Sequence, residues 1–437
     1  MAKTYDTYKD SGIAWIGNIP SEWKTCRIKD TSLLYTGNSI KDEEKDSFQD
    51  MNEARPYIAT KDIDATYMSA NYNNGLYIKH TDCNFRIAPP SSTLMCIEGG
   101  SAGRKKAFID QEVSFVNKLC CFAPFEGVYG KYIYYFLCSP NFEDIFNSKI
   151  TGLIGGVNIP TLKNIECLLP SISEQKAIAT YLDKKCGEID SLISLQEEMI
   201  SELQAYKQSV ITEAVTKGLD SNVPMKDSGV EWIGMIPEGW NVSSLKHIIN
   251  GHLQYGANES GTLFEEGLPR YVRITDILDN KLREDIQKQS LTEEQASGFI
   301  LQDKDILFAR SGGTVGKSFI YRRKYGRCAF AGYLIKAAIN QKNDADFIYY
   351  YTLSSSYDEW KKRIFIQATI QNIGADKYSL MEIPLPPLSE QQAIASYLDE
   401  KTSQIDSLIA IKQEKITELK DYKKSIIYEY VTGKKKV

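Results

Sequence analysis

The chain says one thing twice. "KDSGIAWIGNIPSEW" begins at Lys9 and "KDSGVEWIGMIPEGW" at Lys226, with ten of fifteen positions identical. "LPSISEQKAIATYLDKK" begins at Leu169 and "LPPLSEQQAIASYLDEK" at Leu385. The offsets are 217 and 216 residues, so the 437-residue chain is a tandem duplication. No other feature restricts the fold as strongly, because whatever the first half builds the second must also build. Between the matched ends lie two divergent bodies with faint echoes. "YIATKDI" (57–63) faces "YVRITDI" (271–277), "YIYYFLCS" (132–139) faces "FIYYYTLS" (347–354), and "GGSAGRK" (99–105) faces "GGTVGKS" (312–318).

Each repeat closes on a long helix. Ser173 and Ser389 are suited to cap the N-termini, and Gln392 completes a capping box with Ser389. A 4-3 spacing then picks out Ile178, Leu182, Ile189, Leu192, Met199 and Leu203 in the first helix. In the second it picks out Ile394, Leu398, Ile405, Leu408, Leu419 and Ile426. That is a coiled-coil seam. Polar members such as Lys185, Gln196, Lys401, Lys412 and Lys415 could fix its register, and Tyr206, Val210 and Tyr422 extend it. Ile193, Ile200, Ile409 and Ile416 lie off the seam and widen the apolar face toward another protein. Gly218 and Gly433 sit where each helix should stop. The first helix leaves the first body and the second leaves the second body, so pairing between them is antiparallel. A helix packed only on its own body is the competing reading.

The expected fold class is α+β: two mixed α/β bodies and two long helices forming an antiparallel coiled coil, related by a pseudo-two-fold. The expected boundaries are 1–168 and 219–384 for the bodies, and 169–218 and 385–437 for the helical segments. Two related heads on a stiff spacer of about 60 Å suit a ligand with two separated sites. Double-stranded DNA is one, since half-sites on one face recur every 34–36 Å or so.

The chemistry is sparse. Net charge is −5, against the basic balance usual in nucleic-acid binders, although "YRRKYGR" (321–327) and "GRKK" (103–106) are locally basic. The three histidines, His80, His247 and His252, fall in no triad or metal spacing, and no metal site is expected. Nine cysteines without a C-x-x-C pair read as reduced thiols, with Cys120 and Cys121 in the core. No apolar run approaches the roughly 18 residues of a membrane span, and the N-terminal residues lack a signal-peptide core. A cytoplasmic protein with no membrane contact is expected.

"ARSGGTVGKSF" (309–319) nearly spells a phosphate-binding loop, but Ser311 stands where the first glycine belongs. The first copy sets Arg104-Lys105 against Lys317-Ser318, so glycines and a cation survive while the nucleotide signature does not. A glycine turn presenting a cation fits both copies.

The duplicated order of these motifs, over essentially the whole chain, resembles the specificity subunits of type I restriction-modification systems. The resemblance implies that each body is a target-recognition domain reading half of a bipartite DNA site, with the helices setting the gap. It implies no catalytic residue and no cofactor in this chain. Two copies of a modification subunit would methylate adenine with S-adenosylmethionine, and a restriction subunit using ATP and Mg to translocate and cleave is a further partner. Cationic and amide side chains are the candidate DNA contacts. In the first body these are Lys61, Arg104, Lys105, Lys106 and Asn158; in the second, Arg273, Arg310, Lys317, Arg322, Arg323, Lys324 and Asn372. The alternatives are a coiled-coil scaffold without DNA specificity and a nucleotide-hydrolysing enzyme built on the Gly312 loop.

Overall fold

The computed structural model describes residues 4–278, 280–366 and 372–437. They form two compact units, Met1–Glu197 with Gln413–Val437, and Glu198–Lys412. Each unit holds one body, the start of one long helix and the end of the other.

The bodies share one four-stranded sheet, strand for strand. In the first, an antiparallel sheet runs Ser32–Thr36, Leu119–Pro124, Ser92–Cys96, Lys106–Ile109. In the second, Gln254–Tyr255, Leu334–Ala337, Ile306–Ala309 and Ser318–Ile320 take the same places. A second sheet in each body contains one parallel pair, Ala54–Ile58 with Val113–Phe115 and Arg270–Val272 with Cys328–Phe330. Alternation of apolar residues buries Leu94, Cys96, Leu119 and Cys121 in one core and Phe308, Ile335 and Ala337 in the other. Cys120 and Cys121 are both buried strand residues, Cys121 in the first of these cores, and all nine cysteines are free thiols.

The joint between the two sheets needs a glycine. A Cβ on Gly37 would overlap the Phe115 carbonyl, and one on Gly256 the Phe330 carbonyl. The next amides, Asn38 and Ala257, donate to those same carbonyls at 2.9 and 2.8 Å. Tyr57 and Tyr271 lock the joint by donating their hydroxyls to the carbonyls of Asn38 and Ala257, each at 2.8 Å.

The repeated end motifs meet in space. Trp23, buried in the first "IPxxW", donates its indole N–H to Glu174 at 3.0 Å; Trp240 donates to Glu390 at 3.2 Å. Gln175 and Gln391 are buried, and each ties its helix start to its body. Gln175 accepts from the Tyr129 amide and donates to the Pro170 carbonyl, both at 2.8 Å. Gln391 accepts from the Asp344 amide at 2.8 Å and donates to the Pro386 carbonyl at 2.9 Å. The "SEQ" of each motif is therefore a clamp rather than a cap. The caps differ from the sequence expectation. The first helix runs Ile172–Lys217, so Ser171 is the cap and its hydroxyl accepts from the Glu174 amide at 3.3 Å. The second runs Leu388–Val431, and the Pro387 carbonyl accepts from the amides of Glu390 and Gln391. Ser389 and Gln392 make no capping box, because both lie inside the helix. Gly218 and Gly433 follow the helix ends at positive φ, 79° and 69°.

Within each unit the two helices touch and run antiparallel. In the first unit Tyr181 packs on Tyr430 at 4.5 Å and Lys423 bonds Asp190 at 2.7 and 2.8 Å. In the second, Lys207 bonds Asp406 at 2.7 and 2.8 Å. At the repeat offset these are one ion pair occurring twice. The seam itself departs from the heptad. Leu192 and Leu408 are both 47% exposed, and Tyr206 and Tyr422 are also exposed. The buried row is Ile178, Leu182, Cys186, Ile189, Ile193, in steps of four, four, three and four residues. A nearly straight helix drifts against a seven-residue repeat, and that drift carries Leu192 out and Ile193 in. Ile416, likewise placed off the seam by the sequence, is buried.

Candidate nucleic-acid interface

The glycine turn has the same backbone in both bodies. Gly99 and Gly312 have φ of 82° and 79°, and Gly103 and Gly316 of 73° and 80°. Their carbonyl and amide bonds match: Ala102 to Gly99 and Val315 to Gly312, then Gly103 to Cys96 and Gly316 to Ala309. Strands flank the turn on both sides, Ser92–Cys96 with Lys106–Ile109 and Ile306–Ala309 with Ser318–Ile320. A phosphate loop delivers its glycines into a helix N-terminus; these deliver them into a strand.

Past the second glycine the copies part by one residue. The Cys96 amide donates to the Lys105 carbonyl and the Ala309 amide to the Lys317 carbonyl, both at 2.9 Å. Lys105 and Lys317 are therefore equivalent, and Arg104 is an extra residue of the first turn. The pairing of Arg104 with Lys317 read from the sequence is off by that insertion.

A second turn accompanies the first. Ala59 and Arg273 donate their amides to Asp62 and Asp276, each at 2.9 Å, closing a short 3-10 turn in each body. Lys105 reaches this turn and donates to the Thr60 carbonyl at 2.9 Å, which places Lys61 beside it. In the second body Lys317 and Thr314 line a small cavity together with Ile274 of the matching turn. Lys61, Arg104 and Lys317 are exposed, with no hydrogen-bond or ion-pair partner among the described residues.

Several expected contacts have other tasks. Lys106 is fully buried and pairs with Glu143 at 2.7 Å under the Phe142 ring. It faces inward because it is the strand residue after the turn, equivalent to Ser318, whose hydroxyl meets that of Thr352 at 2.7 Å. Arg273 is held by Asp276 at 2.8 Å and by the Gln287 carbonyl at 3.2 Å. Arg322 pairs with Asp346, which Lys304 also bonds at 2.6 Å. Burial pushes the Asp346 carboxyl up, but the bonds from Arg322 and Lys304 outweigh it and hold the group below the ordinary range. Asn158 caps a short helix by accepting from the Thr161 amide at 2.9 Å. Arg323 and Lys324 remain exposed, at the end of the Ile306–Ile320 hairpin away from the glycine turn.

Arg310 and Asn372 come together at the turn. The Ile373 amide donates to the Arg310 carbonyl at 2.9 Å, and Ser311 and Asn372 form an antiparallel bridge. Tyr255, which sequence reasoning missed, lies under the Arg310 guanidinium at 4.9 Å from the ring centre. Only the shared glycine of "TGN" and "YGA" could have marked that position. Asn158 and Asn372 are not equivalent positions. The bridge of Glu98 with Gly156 matches that of Ser311 with Asn372, so Asn158 faces Gly374.

Two like bodies, each presenting cations on the same rigid glycine turn while the side chains around it differ, define a duplicated recognition protein. The chain belongs to the family of the type I restriction modification DNA specificity domain, whose model matches residues 20–205 and again 237–421. It is 25% identical to the type I restriction enzyme MjaVIII specificity subunit of Methanocaldococcus jannaschii, over 96% of this chain and 94% of that protein. It is 22% identical to the StySPI specificity subunit of Salmonella potsdam, over 95% of this chain and 90% of that one. A chain from a solved structure concerned with complex assembly and conformational transition of the type I R-M system matches with a TM-score of 0.71. That match has 16% identity and covers 94% of this chain and 98% of the other. No helix among the described residues is long and apolar enough to cross a membrane.

Proposed function

We propose that this chain is the DNA-recognition subunit of a type I restriction-modification complex. Each body reads one half of a bipartite site and the paired helices set the gap. The chain itself carries no catalytic site and holds no cofactor. Two copies of a modification subunit methylate adenine with S-adenosylmethionine, and a restriction subunit using ATP and Mg acts as a further partner.

The observation that carries this reading is where the two halves agree and where they differ. The Trp–Glu clamp, the buried glutamine and the Asp–Lys pair between helices repeat at the offset. The residues around each glycine turn do not repeat. A common frame with two different faces suits two different half-sites. The apolar residues left on the helix surfaces also repeat: Leu192, Leu195 and Tyr206 in one helix match Leu408, Ile411 and Tyr422 in the other, all exposed. The first unit carries Leu192, Leu195 and Tyr422 and the second Leu408, Ile411 and Tyr206, which suits one copy of the same partner on each.

Long-read mapping of methyl-adenine in cells with and without this chain, its modification partner present, tests the reading. One bipartite motif is expected to appear with the chain and vanish without it. Inserting four helical residues within the first long helix adds about 6 Å. The gap should then widen by roughly one or two base pairs while both half-sites stay the same. An unaltered gap means that something other than the helices sets it.

A further inference from the structure

Of five buried side-chain polar atoms in the second body without a hydrogen-bond partner among the described residues, two belong to residues whose backbones are neighbours in the fold. They are Arg310 Nε, a donor, and Asn372 Oδ1, an acceptor. A native protein satisfies nearly all such atoms, so two left open on neighbouring residues point to a ligand in their vicinity. Their surroundings are rigid. Arg310 is fixed at both backbone ends, its amide donating to the Tyr333 carbonyl at 3.0 Å and its carbonyl accepting from Ile373 at 2.9 Å. Its guanidinium lies on Tyr255, whose hydroxyl is itself held by the Ala375 amide at 3.0 Å. Among the described residues no carboxylate pairs with this arginine. Tyr255 and Tyr333 are 40% and 62% exposed, so the cluster opens to solvent.

The first body has nothing like it. Strand register and backbone bonds set Thr36, Ile97 and Gly156 in the places of Tyr255, Arg310 and Asn372. The glycine turn and its lysine are common to both bodies; the Tyr–Arg–Asn cluster belongs to one. Contacts shared by two readers of different sequences can position a backbone but cannot specify bases.

We propose that Arg310, braced on Tyr255, reads a guanine in the second body's half-site, and that Asn372 accepts from the exocyclic amino group of a neighbouring adenine or cytosine. This rests on the chain being a DNA-recognition subunit. A stacked guanidinium is a planar fork whose spacing matches the O6 and N7 edge of guanine in the major groove. Lys317, exposed on the shared turn, takes a phosphate.

The test uses the complete complex with its modification subunits, acting on a random-sequence DNA library with methyl-adenine read at every site. Arg310→Ala is expected to admit other bases at a single position of one half-site, with discrimination there falling roughly 10- to 100-fold. The other half-site and the gap stay unchanged. Arg310→Lys keeps the charge but not the fork and should relax the same position. Tyr255→Leu should relax it partly. Lys317→Ala lowers methylation at all sites alike without altering the motif. A wild-type motif that survives Arg310→Ala at every position overturns this assignment alone. So does a uniform loss of methylation by an Arg310→Ala complex that still assembles and keeps its melting temperature. A wild-type complex with no bipartite motif overturns the proposed function and this assignment with it.

Discussion

The two bodies share one four-stranded antiparallel sheet in the same order, yet they solve one packing problem with different chemistry. Where the strand leaves the glycine turn, the first body buries Lys106 against Glu143, and the second buries Ser318 against Thr352. At the start of the following helix the first body has Lys131, paired with Asp183 at 2.7 Å. The second has Asp346 there, paired with Arg322 and Lys304. Charge can invert, and an ion pair can give way to two hydroxyls, without moving the backbone. What the bodies cannot change is the sheet joint, where backbone meets backbone and no side chain can adjust.

That contrast sets an order of expected effects. Gly37→Ala and Gly256→Ala each force a methyl onto a carbonyl and should cost about 3 kcal/mol. Chemical denaturation should show similar losses; a large loss in one body and none in the other would break the equivalence of the joints. Lys106→Ala removes a buried cation, but Glu143 is 31% exposed and can hydrate, so a loss of about 2 kcal/mol is expected. Ser318→Ala, which breaks only a hydroxyl pair, should cost about 1 kcal/mol. Equal losses for these two would mean that the ion pair adds nothing over the hydroxyls. The smallest effect belongs to the pair between the helices. Asp190→Asn and Asp406→Asn should each cost less than about 1 kcal/mol. Asp190 should be the larger, since its side chain is 24% exposed and that of Asp406 58%. The reverse order would show that burial does not govern this contact.

Much of the frame was legible in the sequence because its residues are identical in the two copies. The long helices, Ile172–Lys217 and Leu388–Val431, fall within a few residues of expectation. Their seam was legible only for its first turns. A seven-residue count finds Ile178, Leu182 and Ile189, takes Lys185 where Cys186 is buried, and fails again at Leu192, since three or four turns accumulate the drift of a real helix past the width of the apolar face. The clamp formed by Trp23 with Glu174 was hidden, because its members are 151 residues apart and pattern reading pairs only neighbours. At the glycine turn, one inserted residue, Arg104, shifted the alignment of the two copies, and strand alternation turned Lys106 inward. Cationic character alone does not say which way a side chain points. The sequence singled out Arg310 and Asn372, but the stacking of Arg310 on Tyr255 and the bridge of Asn372 with Ser311 depend on three segments that only the fold brings together.

The clamp has an evolutionary consequence. Each body is gripped at its entrance by a tryptophan and at its exit by a glutamate and a glutamine, and all three lie in the repeated motifs flanking it. The tryptophan–glutamate bond is made wholly within those motifs, and the glutamine takes only a backbone amide from the interior, that of Tyr129 or Asp344, so the grip asks for no particular interior side chain. A foreign cassette spliced between those motifs inherits the anchorage intact, so new specificities can arise by exchange of whole segments, with no matching change required in the helices.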